Sequence, residues 1–81
     1  MKPLTALKKG EFGFIVDLRD AVVCLEVFDF GCFPGEQIDV LENCPNAEHM
    51  RILLHNRAHK IAKLKAKTII TNVVSYDINL N

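Results

Sequence analysis

The stretch Gly31-Cys32-Phe33-Pro34-Gly35 stands between an apolar segment ending at Phe30 and an alternating segment beginning at Gln37. Gly31 suits the left-handed position just past a helix end, because it has no Cβ to clash there. Pro34 fixes φ at the first central position of a tight turn, and Gly35 supplies the positive φ that a type II turn needs at the second. The pattern predicts helix, stop, turn and strand, with Ile38 and Val40 on one face of the strand Gln37–Glu42. Two apolar elements are thereby held at a defined angle, and the remaining chain has to pack around them.

Upstream of the corner, Ala21, Cys24, Leu25 and Phe28 recur at i, i+3, i+4 and i+7, the spacing of one helix face. Asp20 is the expected N-cap, so the helix spans about residues 20–30. Leu4 and Leu7 fit a single N-terminal helical turn that covers one end of a core. Phe12 to Leu18 alternates as a strand, and Gly13 within it marks a bulge or a close approach of another segment. Downstream, Asn43-Cys44-Pro45-Asn46 is a loop, Arg51–Leu54 a third strand and His55-Asn56-Arg57 a turn. Between Ala58 and Lys67 helix propensity is high. Yet Ala62, Leu64 and Ala66 alternate strictly with Lys63, Lys65 and Lys67, which a half-buried strand followed by a brief turn satisfies. Ile69 to Val74 makes a last strand, and Ser75–Asn81 is expected to fray.

Five short strands and one helix within 81 residues predict one domain, mainly β, folded as a small closed barrel. Closure removes sheet edges that so small a sheet would otherwise expose. The ordered core is expected over about residues 3–74. A composition of 49% apolar and 25% charged residues is that of a folded domain. No apolar run approaches the roughly 18–20 residues that span a bilayer. The N-terminal MKPLTALKKGEF has no signal-peptide centre, and three cysteines form no even disulfide framework. These features place the chain in the cytoplasm, with reduced thiols.

No enzyme site is visible. The chain has no phosphate-cradling G-x-x-x-x-G-K-[ST] stretch, and no nucleophile, base and acid recur at a catalytic spacing. Cys44 and His49 are the candidate ligands for a transition metal, but the spacings match no closed zinc pattern, so the expectation is no bound cofactor. Charge is uneven although the net charge is zero: residues 1–48 hold nine of the ten acids, whereas residues 49–76 hold six basic residues and no acid. The basic segment 51–67 admits nucleic-acid binding as a rival reading. The balanced charge and the lack of aromatics interleaved with the lysines argue against it.

The leading L-x-x-L-x-x-G (Leu4, Leu7, Gly10), a strand, an apolar helix and then G-x-x-P-G (Gly31, Pro34, Gly35) resemble the ferrous-iron transport protein A (FeoA) family. The likeness covers about residues 4–74. It implies an SH3-like barrel of about five strands with the helix over one end. It also implies a non-enzymatic accessory role in ferrous-iron uptake, through contact with a membrane permease that bears a cytoplasmic GTPase domain. The same barrel occurs as a C-terminal domain of metal-dependent repressors, and self-association is compatible with it. On this reading Phe30 and Phe33 form an apolar contact beside the corner. Lys60, Lys63 and Lys65, on a basic strand, orient the partner.

Overall fold

Alternation in Phe12–Leu18 does produce a strand, but its inward residues are Gly13 and Ile15, while Phe14 faces outward and Phe12 is half-buried. The computed structural model describes residues 1–74, so the tail expected to fray at Ser75–Asn81 lies outside the described residues. Within them are strands β1 (Lys2–Pro3), β2 (Phe12–Leu18), β3 (Gln37–Glu42), β4 (His49–Leu54), β5 (Arg57–Ala62) and β6 (Ile69–Val73). Helix α1 spans Ala21–Phe28, α2 spans Lys63–Ala66, and a 3-10 turn covers Leu4–Ala6. All strands pair antiparallel in one sheet of order β1-β6-β2-β3-β4-β5. The mainly β architecture with one short helix and an N-terminal helical turn is as expected, with the two-residue β1 in addition.

Two register shifts bend this sheet. One lies between Ile15 and Asp17 on β2, the other between Val40 and Glu42 on β3. Each extra residue increases local twist and coils the strand. Helical turns then bring the ends of the sheet together: the 3-10 turn that follows β1 packs on α2, which follows β5. Asn43 ties the seam by donating from Nδ2 to the carbonyls of Thr5 at 3.0 Å and Leu7 at 2.6 Å. Inside, Leu4, Leu7, Ile15, Ile38, Met50, Ile52, Leu54 and Ile69 are almost wholly excluded from water. Thr71 is the buried polar residue among those described, and its hydroxyl donates to the Lys2 carbonyl at 3.0 Å. Gly13 marks a close approach: a Cβ there would stand 2.7 Å from the Asn72 carbonyl oxygen.

Three sequence-based expectations are corrected. Helix α1 buries Val23 and Val27, not the Ala21, Cys24, Leu25, Phe28 face; Leu25 and Phe28 are 75% and 57% exposed. Apolar residues lie all round this two-turn helix, so periodicity could not choose which stripe meets the core. Phe14 on β2 is likewise turned outward, at 38% exposed. Strand β4 begins at His49 rather than Arg51. Finally, the chain leaves β5 at Ala62, and Lys63 to Ala66 form α2, so Lys63, Lys65 and Lys67 share no strand face. Helix propensity wins there because Ala66 reaches the core as α2 packs on the 3-10 turn, while Leu64 is 74% exposed.

Candidate docking surface

Asp20 starts α1 by accepting from the backbone N–H groups of Val22 at 2.9 Å and Val23 at 3.1 Å. These are donors that a first helical turn leaves unsatisfied. At the other end Cys32 N–H donates to Val27 O at 3.3 Å and Gly31 N–H to Phe28 O at 3.0 Å. This paired pattern, with Gly31 at φ +80, is a Schellman stop. Cys32, just beyond it, is buried against the core with Val27. Phe33 to Glu36 then closes a turn through Glu36 N–H to Phe33 O at 3.1 Å, with Gly35 at φ +94, as a Pro-Gly type II turn requires. Gly35 N–H donates to Ile15 O at 2.7 Å and Ile15 N–H to Glu36 O at 2.9 Å, fastening the corner to β2.

A second clamp comes from the β4–β5 hairpin. His55 and Asn56 both have positive φ, +50 and +63, the signature of a two-residue hairpin turn whose twist matches the strands. The turn carries His55 over the corner. Its Nε2 donates to Gly31 O at 3.1 Å and lies 3.5 Å from Glu36 Oε2. A short way along the hairpin, the His59 ring stacks on Phe30 with centroids 4.4 Å apart and planes 18° apart.

The corner therefore presents one apolar surface. Val22 (64% exposed), Leu25 and Phe28 lie on the outer side of α1, and Phe33 (37%) meets Phe28 edge-to-face with centroids 4.8 Å apart. That is a group of large apolar side chains, not scattered single ones. Around it the charged residues of α1 and its caps, Asp20, Glu26 and Asp29, are all acidic.

Of the residues expected from the sequence to contact a partner, Phe33 belongs to this surface. Phe30 packs against the core and His59. Lys60 is exposed on β5, Lys65 bridges to Glu26 of α1, and Lys63 donates to the Cys44 carbonyl. Gly31, Pro34 and Gly35 are the structural corner. Val22, Leu25 and Phe28 were missed as surface residues. Their signal was the excess of apolar residues over what a two-turn helix can bury.

Cys44 and His49 are both exposed and border a shallow hollow of about 350 Å³ with Glu42, Glu48 and Arg51. Among the described residues no three His, Cys, Asp or Glu side chains converge as metal ligands do. In the same hollow Arg51 donates to Glu42 at 2.8 Å, and this hydrogen bond, with the guanidinium charge, holds the carboxyl below its ordinary range. Burial pushes the Cys32 thiol up to about 11, and the neighbouring Cys24 adds to the effect. A thiol held protonated in this way is a weak nucleophile and a poor metal ligand. No described helix is long and apolar enough to cross a membrane.

No protein-family model matches this chain, and no curated protein matches it. Solved structures do. The iron uptake regulatory protein FeoA superposes with a TM-score of 0.79 at 25% identity, over 90% of this chain and 96% of that one. Iron(II) transport protein A from Clostridium thermocellum does so at 0.80 and 27% identity, over 91% of this chain and 46% of that one. A manganese-dependent transcriptional repressor gives 0.81 at 16% identity, over 90% of this chain but 41% of the repressor, a likeness of fold alone. With its barrel, its helix over one end and its Gly-x-x-Pro-Gly corner, this protein has the FeoA-like SH3-like fold.

Proposed function

We propose that this protein is a non-enzymatic accessory protein of ferrous-iron uptake, acting in the cytoplasm. It docks through the outer face of α1 and Phe33 on the GTPase-bearing part of a membrane ferrous-iron permease. The fold supports the pathway, since solved neighbours include iron-uptake proteins at 25% and 27% identity. The observation that carries the docking role is the surface of Val22, Leu25, Phe28 and Phe33, left in water on a helix that needs only Val23 and Val27 for its own packing. A domain this small gains nothing in stability from a Leu 75% in water. A partner that covers it recovers the apolar burial on binding.

The corner makes such a surface effective, because its backbone is fixed by glycine conformations and by hydrogen bonds to β2 and to the hairpin. A pre-organised patch loses little freedom when it binds. The charge pattern favours a partner face that is apolar at its centre with a basic group beside Asp29. Capture of the permease's cytoplasmic domain by the wild-type chain, compared with Leu25→Asp and Phe33→Ala variants, tests the reading. Both variants are expected to lose capture, while Lys60→Gln retains it.

A further inference from the structure

On a different part of the molecule, β5 turns into α2 beside a shallow hollow of about 500 Å³. Thr5, Ala62 and Leu64 give it apolar walls, and Lys63 and Lys67 stand at its margin. Lys67 ends α2 in helical conformation, one turn on from Lys63, so the two stems lie on the same side. Leu64, next to Lys63 in the chain and also lining the hollow, is three-quarters exposed. Of the acids on this side, Glu26 is bridged to Lys65, while Glu48 lines the hollow itself as its one acidic group among the described residues. From residue 49 to residue 74 the chain has six basic residues and no acid.

We infer that this end of the protein is a contact site for an anionic phospholipid membrane. Lys67 takes a lipid phosphate, Lys63 takes another with the N–H groups left beside its bond to the Cys44 carbonyl, and Leu64 enters the acyl boundary. Long lysine stems can lie along apolar surface while their ammonium groups stay at the phosphate level. An exposed apolar tip beside cations can bury its area at the acyl boundary while the cations meet anionic headgroups. An acidic protein surface would engage the same lysines but leave Leu64 in water, so the leucine favours lipid. The molecule's zero net charge makes the contact local, directed by the concentration of nine of its ten acids in residues 1–48. The site shares no lining residue with the α1 surface, although Lys65 bridges α2 to Glu26 of α1, and it stands whether or not that surface binds a permease. Were both correct, the lipid contact would hold the chain beside its partner's membrane.

Co-sedimentation of the full chain with vesicles tests this, using phosphatidylcholine alone and phosphatidylcholine mixed with phosphatidylglycerol. Partition onto the anionic vesicles is expected, weakening with added salt as the surface potential is screened. Lys67→Gln should lower it about fivefold and Lys63→Gln with Lys67→Gln about twenty-fivefold, from the typical contribution of a lysine near an anionic surface. Leu64→Ser should lower it several-fold, and the charge-neutral Leu25→Ser should leave it unchanged. Equal partition onto phosphatidylcholine alone would overturn the inference, as would loss with Leu25→Ser but not with the lysine pair. Binding to soluble polyglutamate that is as tight as vesicle binding and indifferent to Leu64→Ser would also overturn it, in favour of an acidic protein partner.

Discussion

His55 Nε2 donates to the carbonyl oxygen of Gly31 at 3.1 Å, and a Cβ on Gly31 would stand 2.6 Å from His55 Cδ2. Gly31 is thus required twice. It adopts φ +80 to stop α1, and it leaves room for the imidazole that ties the helix end to the β4–β5 hairpin. Gly35 differs: its φ is +94, but the space around its missing Cβ is open.

Gly31→Ala should therefore cost about 2–3 kcal/mol, combining the left-handed backbone strain with loss of the His55 hydrogen bond. Gly35→Ala should cost about 1 kcal/mol, from the backbone alone. In a His55→Ala background the cost of Gly31→Ala should fall towards that of Gly35→Ala, because the steric conflict has gone. Urea unfolding of the four variants and the wild type measures this; equal costs for the two glycines would remove the clamp from the account.

The helix cap makes a second prediction. Asp20→Ala leaves the N–H groups of Val22 and Val23 without their acceptor and should cost about 1 kcal/mol, whereas Asp20→Asn should recover most of it. Chemical denaturation of both variants checks the difference.

A third concerns the two faces of α1. Val27 is 2% exposed, so Val27→Ala should cost about 2 kcal/mol through lost burial and the cavity left behind. Leu25→Asp, at a site three-quarters in water, should stay within about 0.5 kcal/mol of wild type. Thermal melts of the pair distinguish the buried stripe from the presented one.

Alkaline pH provides a fourth. The Cys32 thiol is raised to about 11 in the folded state, so above its ordinary value the unfolded chain releases a proton that the folded chain retains. The unfolded state then binds fewer protons, and stability falls as pH rises. The contribution is fully present below about pH 8.5 and is lost as pH rises to about 11, by up to about 1.4 kcal/mol per unit. Urea melts at pH 8 and pH 10 (approximate values set by that window) should converge in Cys32→Ala relative to wild type. An identical pH slope in both proteins would contradict the assignment.

Much of this fold was legible because its punctuation is local. Asp20, Gly31, Pro34 and Gly35 each impose a backbone geometry within one turn, and each does so in the structure. What escaped depends on tertiary contact. Lys2–Pro3 is a strand only because β6 pairs with it, and two residues carry no periodicity. The alternation through Lys63–Lys67 suits a strand, yet the chain turns helical where Ala66 meets the core. The docking surface was half legible. Phe33 could be read from its place beside the corner, but Leu25 and Phe28 share their spacing with core residues, and only packing assigns them to solvent. Phe30 is held inward by His59, a partner 29 positions away in the sequence, which no local pattern announces.

The most direct test of the account is quantitative binding of the permease's cytoplasmic domain to the wild-type chain and to Leu25→Asp, with the fold of each verified by its melt. The account predicts that Leu25→Asp weakens binding about thirtyfold or more, the loss expected at a central apolar contact. Its melting temperature should stay within about 4 °C of wild type, the shift that about 0.5 kcal/mol allows in a domain of this size. Undiminished binding by a folded Leu25→Asp protein would contradict it.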